Sequence, residues 1–253
     1  MRGSIVVTLI FNLLFVISLV TFLTVRKIRQ WSPPERLNQA NHSKWLSLTL
    51  KHWWFWQTEP FVQWLVRHCV TPNTVTLLGF FFSAASAWLF AKGWFGYAGW
   101  MLLFGSTFDM FDGWVARLTG RITQSGAFFD SVVDRFSEGI LFIGIAYFFR
   151  DHWTILLLVL AGLIGSMMVS YTRARGEGVG IEVKMGAMQR PERVVYLGCG
   201  AIFEPFVTFF VSQYNYNPPP YLFIAALSLI AVMTLYTAFS RMLYVMRLLD
   251  QKG

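Results

Sequence analysis

The chain has 253 residues, of which 55% are hydrophobic and 13% charged, with a net charge of +8 and a mean hydropathy of +0.51. Soluble domains carry about 25% charged residues, so this composition excludes an ordinary soluble domain and makes lipid the expected solvent. The surplus of Lys and Arg then belongs to membrane topology and anionic headgroups rather than to nucleic acid. The two cysteines, Cys69 and Cys199, lack the number and spacing of a disulfide framework or a metal site.

In chain order, Ile5 to Val25 is an uninterrupted apolar run, with Arg2 before it and Arg26, Lys27 and Arg29 after it. It is longer than the apolar core of a signal peptide and has no small-residue cleavage site. It reads as a transmembrane anchor with its C-terminal end in the cytoplasm. Residues 31–70 are charged and rich in Trp (Trp31, Trp45, Trp53, Trp54, Trp56, Trp64). Beside Lys44, Lys51 and Arg67 this reads as a juxtamembrane helix lying in the interface, with a soluble linker as the plainer alternative.

Six spans follow. Thr71-Pro72-Asn73 starts the first, with Thr71 as N-cap and Pro72 in the first turn; it runs to about Ala91. The second covers about Trp94 to Leu118, the third Ser125 to Phe149 and the fourth Trp153 to Arg175. After a Gly-rich loop, Gly176 to Gly186, the fifth covers Gln189 to Val211. Asn217-Pro218-Pro219-Pro220 breaks the chain, and the sixth runs from Tyr221 to about Tyr244. The expected fold is thus all-α and polytopic: an anchor (1–30), a Trp-rich segment (31–70) and a six-helix transmembrane domain (71–253). With the start of the first core span in the cytoplasm, that side holds Arg117, Arg121, Arg173, Arg175, Lys184, Arg190, Arg193, Arg241, Arg247 and Lys252. The other side holds Arg2, Lys92 and Arg150. This asymmetry orients the bundle.

The second and third spans carry Asp109, Asp112, Asp130 and Asp134. An ionised Asp in a span costs roughly 2.5–3.5 kcal/mol, so four of them need compensation. Asp109 and Asp112 are three apart, Asp130 and Asp134 four apart, so each pair shares a helix face. A short turn joins the two spans, which are expected to be antiparallel neighbours with the pairs facing across one gap. Like charges so close call for cations, and oxygen ligands suit Mg²⁺, Mn²⁺ or Ca²⁺. No His or Cys accompanies them, against zinc. Gly113, Ala116 and Gly126 leave room for a bulky ligand, and Arg117 and Arg121 stand ready for phosphate oxygens. The plainer reading is a salt-bridge network with Arg117 and Arg135, in which Arg135 is a structural partner for a carboxylate.

The pattern Asp109-x2-Asp112-Gly113-x2-Ala116-Arg117-x8-Gly126-x3-Asp130-x3-Asp134 resembles, at every fixed position, the signature of the CDP-alcohol phosphotransferase family. The resemblance covers roughly residues 70–245. It implies a six-helix bundle, usually a homodimer, in the cell (inner) membrane, with a polar cavity open to the cytoplasm. It implies two ions, Mg²⁺ or Mn²⁺, on Asp109, Asp112, Asp130 and Asp134, with Asp134 also the general base. It implies a CDP-linked donor, CDP-diacylglycerol, at Gly113, Ala116, Arg117, Thr123 and Gly126, with Asn73 and Thr76 nearby. Thr123, Asn73 and Thr76 have the alternative of being helix-start residues only.

Ser170-Tyr171-Thr172-Arg173-Ala174-Arg175 and Gln189-Arg190-Pro191-Glu192-Arg193 end the fourth and start the fifth span, and Arg241 ends the sixth. Arginines converging beside the carboxylates point to a second, anionic substrate; flanking charge is the simpler account of any one of them. These stretches resemble the family branch that makes phosphatidylinositol phosphate from inositol 1-phosphate. That resemblance implies an acceptor phosphate held by Arg173, Arg193 and Arg241, with Arg190 as a further candidate and Arg173 standing where many members have Lys. Rival acceptors are glycerol 3-phosphate, inositol and serine, and a rival donor is CDP-inositol. A divalent-cation transporter is the competing class. Against it, the acidic residues are taken to sit on one helix pair toward one face, leaving no path through the remaining spans.

Overall fold

The computed structural model describes residues 2–29, 48–183, 185–214 and 218–251, all helix or short connection. Trp31, Lys44 and Trp45 of the Trp-rich segment, Asn217, and the flanking charges Lys184 and Lys252 lie outside the described residues. The described helices are α1 (Arg2–Arg29), α2 (Leu48–Arg67), α3 (Pro72–Ala91), α4 (Phe95–Ser106), α5 (Phe108–Leu118), α6 (Gln124–Phe148), α7 (Trp153–Gly178), α8 (Arg190–Val211) and α9 (Tyr221–Asp250).

Five of these, α1, α3, α7, α8 and α9, are long and apolar enough to cross a membrane. The other two expected spans depart for physical reasons. The second is broken: α4 and α5 have 12 and 11 residues and meet at Thr107, where the ladder tightens. Thr107 N–H donates to the Phe104 carbonyl at 3.1 Å, Met110 N–H donates to the Thr107 carbonyl at 3.1 Å, and the Thr107 hydroxyl also donates to the Phe104 carbonyl, at 2.7 Å. Gly105-Ser106-Thr107 is a run of weak helix formers, and such runs are where helices bend. The third span, α6, carries Asp130, Asp134, Arg135 and Glu138, too much charge for an apolar window.

The core spans close into a ring. α3 packs against α4 and α6, α4 against α8, α8 against α9, α9 against α7, and α7 against α6. One expectation is corrected here. The second and third spans are not each other's main neighbours, because α3 lies against α4, α5 and α6 together. Glycine lets it approach: a Cβ on Gly144 would lie 2.1 Å from the Ala87 carbonyl oxygen, and one on Gly105 would lie 2.7 Å from the Phe82 Cβ. The core beneath is aromatic and aliphatic, with Phe90, Phe149, Phe223, Leu227 and Ile145 buried together.

α1 leans on α4 and α8, and α2 on α1 and α5. Phe11 stacks on Trp100 with centroids 4.9 Å apart. Trp53 Nε1 donates to Ser18 Oγ at 3.1 Å, and Ser18 Oγ donates to Gln57 Oε1 at 2.6 Å. Phe55 stacks on Trp114 at 4.3 Å, while Val62 and Leu65 bury against Val75, Phe108, Phe111 and Val115. The described part of the Trp-rich segment is therefore a helix that backs α5.

Glu204, an acidic residue inside the fifth span, escaped the reading of the span interiors. It is 1% exposed, accepts from Phe223 N–H at 2.9 Å and from the Thr208 hydroxyl at 2.8 Å, and so caps the start of α9.

Gly144→Ala is expected to force α3 and α6 apart and to destabilise the protein by about 1–3 kcal/mol. Thermal melting in detergent measures this, and an unchanged melting temperature contradicts the close approach.

Candidate active site

The start of α3, the length of α5, the first half of α6, the end of α7, the start of α8 and the C-terminal half of α9 carry the residues of the candidate site. α5 begins at the break, so Asp109 sits in its first turn, where helix N–H groups favour an anion. Gly79 of α3 makes room for it: a Cβ there would lie 3.3 Å from Asp109 Oδ1. Asp112, one turn on, is buried at 5% exposure and is held by the Thr76 hydroxyl, which donates to Oδ2 at 2.7 Å. Gly113 N–H donates to Asp112 Oδ1 at 2.5 Å.

α6 starts on Thr123, whose hydroxyl accepts from Gly126 N–H at 3.0 Å, so Thr123 does act as the helix cap. Two and three turns on, Asp130 and Asp134 face α5. Asp112 and Asp130 are near enough for each charge to act on the other, and two carboxylates so placed call for a proton or a cation between them. Asp130 Oδ1 is buried without a hydrogen-bond partner.

The nearest positive charge is Arg190. Its Nη1 contacts Asp109 Oδ2 at 2.5 Å and Asp134 Oδ1 at 2.7 Å. The residue expected on the acceptor phosphate thus bridges the two carboxylate pairs, because the start of α8 lands directly over them. Arg135 lies 3.4 Å from Asp134 and donates to the Ser131 carbonyl, the structural partnership expected of it. Among the described residues no three Asp, Glu, His or Cys side chains are gathered tightly enough to enclose an ion as they stand. The donor set nevertheless fits a hard divalent cation: four carboxylates, all oxygen, two of them face to face and one with an orphaned buried oxygen.

The expected donor residues lie on one rim. Arg117 is exposed and folds back over Gly113, whose added Cβ would meet Nη1 at 3.3 Å. Ala116 is half-buried beside it. A Cβ on Gly126 would lie 2.9 Å from Thr123 Oγ1 and 3.8 Å from Asn73 Oδ1, which brings the starts of α3 and α6 together. Thr76 is the exception among them: it is turned inward to Asp112.

The arginines of α7, α8 and α9 also converge, since Arg173 and Arg193 both act electrostatically on Arg241. Arg241 is 3% exposed and donates to the carbonyls of Met185 and Val169 at 2.7 and 2.6 Å. Gly186, at φ +130°, lets the loop pass close to it. Arg173 is exposed and pairs with Glu177 at 2.9 Å. Arg193, expected to be open to a ligand, is 4% exposed and grips Glu138. Glu138 went unremarked in the sequence, although its position four residues after Asp134 was a usable signal.

A family model described as CDP-alcohol phosphatidyltransferase matches residues 69–248. The chain belongs to this family. It is thereby an integral membrane transferase of the CDP-alcohol phosphatidyltransferase family. The phosphatidylinositol phosphate synthase of Mycobacteroides abscessus is 38% identical over 154 residues, covering 58% of this chain and 69% of that protein. The archaetidylinositol phosphate synthase of Methanothermobacter thermautotrophicus is 34% identical over 179 residues, 71% of this chain and 85% of that one. The crystal structure of Mycobacterium tuberculosis phosphatidylinositol phosphate synthase with CDP-DAG bound is similar at a TM-score of 0.64 and 32% identity, over 74% of this chain and 92% of that one. The same protein has been solved in complex with manganese and citrate.

Thr76→Val keeps the side-chain shape and deletes the bond to Asp112. A hydrogen bond to a charged group contributes about 1.5–3 kcal/mol, so kcat/KM, read as CMP release, is expected to fall about tenfold to a hundredfold with little change in melting temperature.

Proposed function

We propose that the chain transfers a phosphatidyl group from CDP-diacylglycerol to the hydroxyl of a phosphorylated alcohol, inositol 1-phosphate, releasing CMP and phosphatidylinositol phosphate. The observation that carries the acceptor is the convergence of Arg173, Arg193 and Arg241, with Arg241 buried on carbonyl partners. A buried guanidinium without a carboxylate of its own favours an anion nearby. An acceptor lacking phosphate, such as inositol or serine, offers no anion to Arg241, whose hydrogen bonds go to carbonyls, or to the N–H groups that Arg193 has left over from Glu138. The names of the relatives support the same acceptor.

On this reading Asp109, Asp112, Asp130 and Asp134 hold two divalent ions, Mg²⁺ or Mn²⁺. Bound there, the ions neutralise the donor diphosphate and favour charge building up at phosphorus. The chain's own residues do the rest. Arg117, folded over Gly113, meets the departing CMP phosphate. Thr123 and Asn73 line the rim where the CDP moiety lies. Asp134, at the edge facing the arginines, accepts the proton of the acceptor hydroxyl as its oxygen attacks the β-phosphorus. Arg190, now between Asp109 and Asp134, has its charge where carboxylates, phosphate and acceptor meet. The charge asymmetry of the segments supports a cytoplasmic site, in the cell membrane, and the family resemblance supports a homodimer.

Purified protein in detergent, given CDP-diacylglycerol and a panel of acceptors, tests this. CMP release is expected with inositol 1-phosphate, to stop with EDTA and to return with Mg²⁺ or Mn²⁺; turnover with free inositol or serine instead would reject the acceptor. Asp134→Asn is expected to lower kcat by about 10²–10⁴, the usual contribution of a general base, while donor binding, measured by calorimetry, persists. Arg173→Ala, at an exposed position, is expected to raise the acceptor KM about tenfold with the donor KM unchanged; equal changes in both would remove Arg173 from the acceptor site.

A further inference from the structure

Glu138 lies four residues after Asp134, so Asp130, Asp134 and Glu138 form one line along α6. Across from it, the first turn of α8 presents Arg190 and Arg193, three residues apart. The two faces meet in two rungs. Arg190 Nη1 is 2.7 Å from Asp134 Oδ1. Arg193 grips Glu138 with both arms of the fork: Nε donates to Oε1 at 2.7 Å and Nη2 donates to Oε2 at 3.0 Å. The side chains of this second rung are 4% and 9% exposed.

A guanidinium has five N–H donors in a fixed plane. Glu138 takes two of those of Arg193, and the Met188 carbonyl takes a third at 3.3 Å. With both the plane and one edge occupied, the remaining N–H groups on Nη1 and Nη2 have a set direction. Arg241 is near enough to feel the charge of Arg193, and Glu138 acts electrostatically on Arg190 as well. A small cavity of about 30 Å³, with Ser83, Ser106, Ser137, Glu138, Arg190 and Arg193 among its lining, lies beside the rung. That is room for roughly one water.

We propose that Glu138 is a positioning residue for the acceptor. It clamps Arg193 in one orientation and, through the first turn of α8, keeps Arg190 in register with Asp134. The arginine side and the aspartate side of the cavity are then held as one unit. A purely structural lock would not need charge here, because a buried ion pair is commonly replaceable by apolar groups of similar volume without loss of stability. This inference rests on the phosphorylated-acceptor reading above.

The experiment begins with the wild-type protein: turnover of inositol 1-phosphate with CDP-diacylglycerol, and binding of inositol 1-phosphate by calorimetry. Failure of both rejects the acceptor reading itself. With a competent wild type, Glu138→Gln is expected to raise the acceptor KM and Kd about tenfold or more, with the donor KM within about twofold. Glu138→Asp, which keeps the charge but retracts it by a methylene, is expected to fall between the two. The double variant Glu138→Leu with Arg193→Met is expected to melt near the wild-type temperature and still bind the acceptor poorly. It carries the test together with Glu138→Asp if Glu138→Gln does not fold. The proposal is overturned if the double variant recovers the acceptor KM. It is equally overturned if the donor and acceptor KM of the single variants rise together in step with a falling melting temperature, or if the acceptor KM does not move.

Discussion

Four carboxylates at one end of a lipid-embedded bundle repel one another, and the arrangement around them is a set of answers to that repulsion. α5 begins at the break so that Asp109 meets helix N–H groups. Thr76 and the Gly113 N–H hold Asp112. Arg190 reaches in from α8 to touch one carboxylate of each pair. In a medium of low dielectric an unanswered charge is costly, so the position of α8 relative to α5 and α6 is an electrostatic requirement as much as a packing one. The divalent ions of the proposed mechanism add to the same balance.

The second rung, between Arg193 and Glu138, extends this logic one turn deeper. Two ion-paired rungs from α8 onto α6, one on a residue of the signature and one beyond it, hold the arginines of α8 against the carboxylates of α6.

Much of this was legible in the sequence. The spans were marked by apolar runs with Thr71 and Pro72, Thr123, or the run of prolines Pro218–Pro220 at their starts, and caps are local chemistry. The aspartate spacings fixed which carboxylates share a face. What the sequence left open involves partners far apart in the chain. Periodicity cannot say that α3 would intervene between α4/α5 and α6, since that depends on close contacts such as Gly144 on Ala87. Nor could it say that Arg190 would go to Asp109, 81 positions away, and to Asp134 as well. The break at Thr107 was written in Gly105-Ser106-Thr107, but the apolar character of the whole stretch concealed it. Glu204 drew no notice within its apolar span and proved to be a remote cap for α9.

The place of α3 has a further consequence. Asp109 and Asp112 on one side, and Asp130 and Asp134 on the other, are both referenced to this single helix, through Gly79 against Asp109 and Gly144 on the contact with α6. The spacing of the two carboxylate pairs therefore depends on a helix that contributes none of them, and a substitution at Gly79 acts on Asp109 without touching an acidic residue.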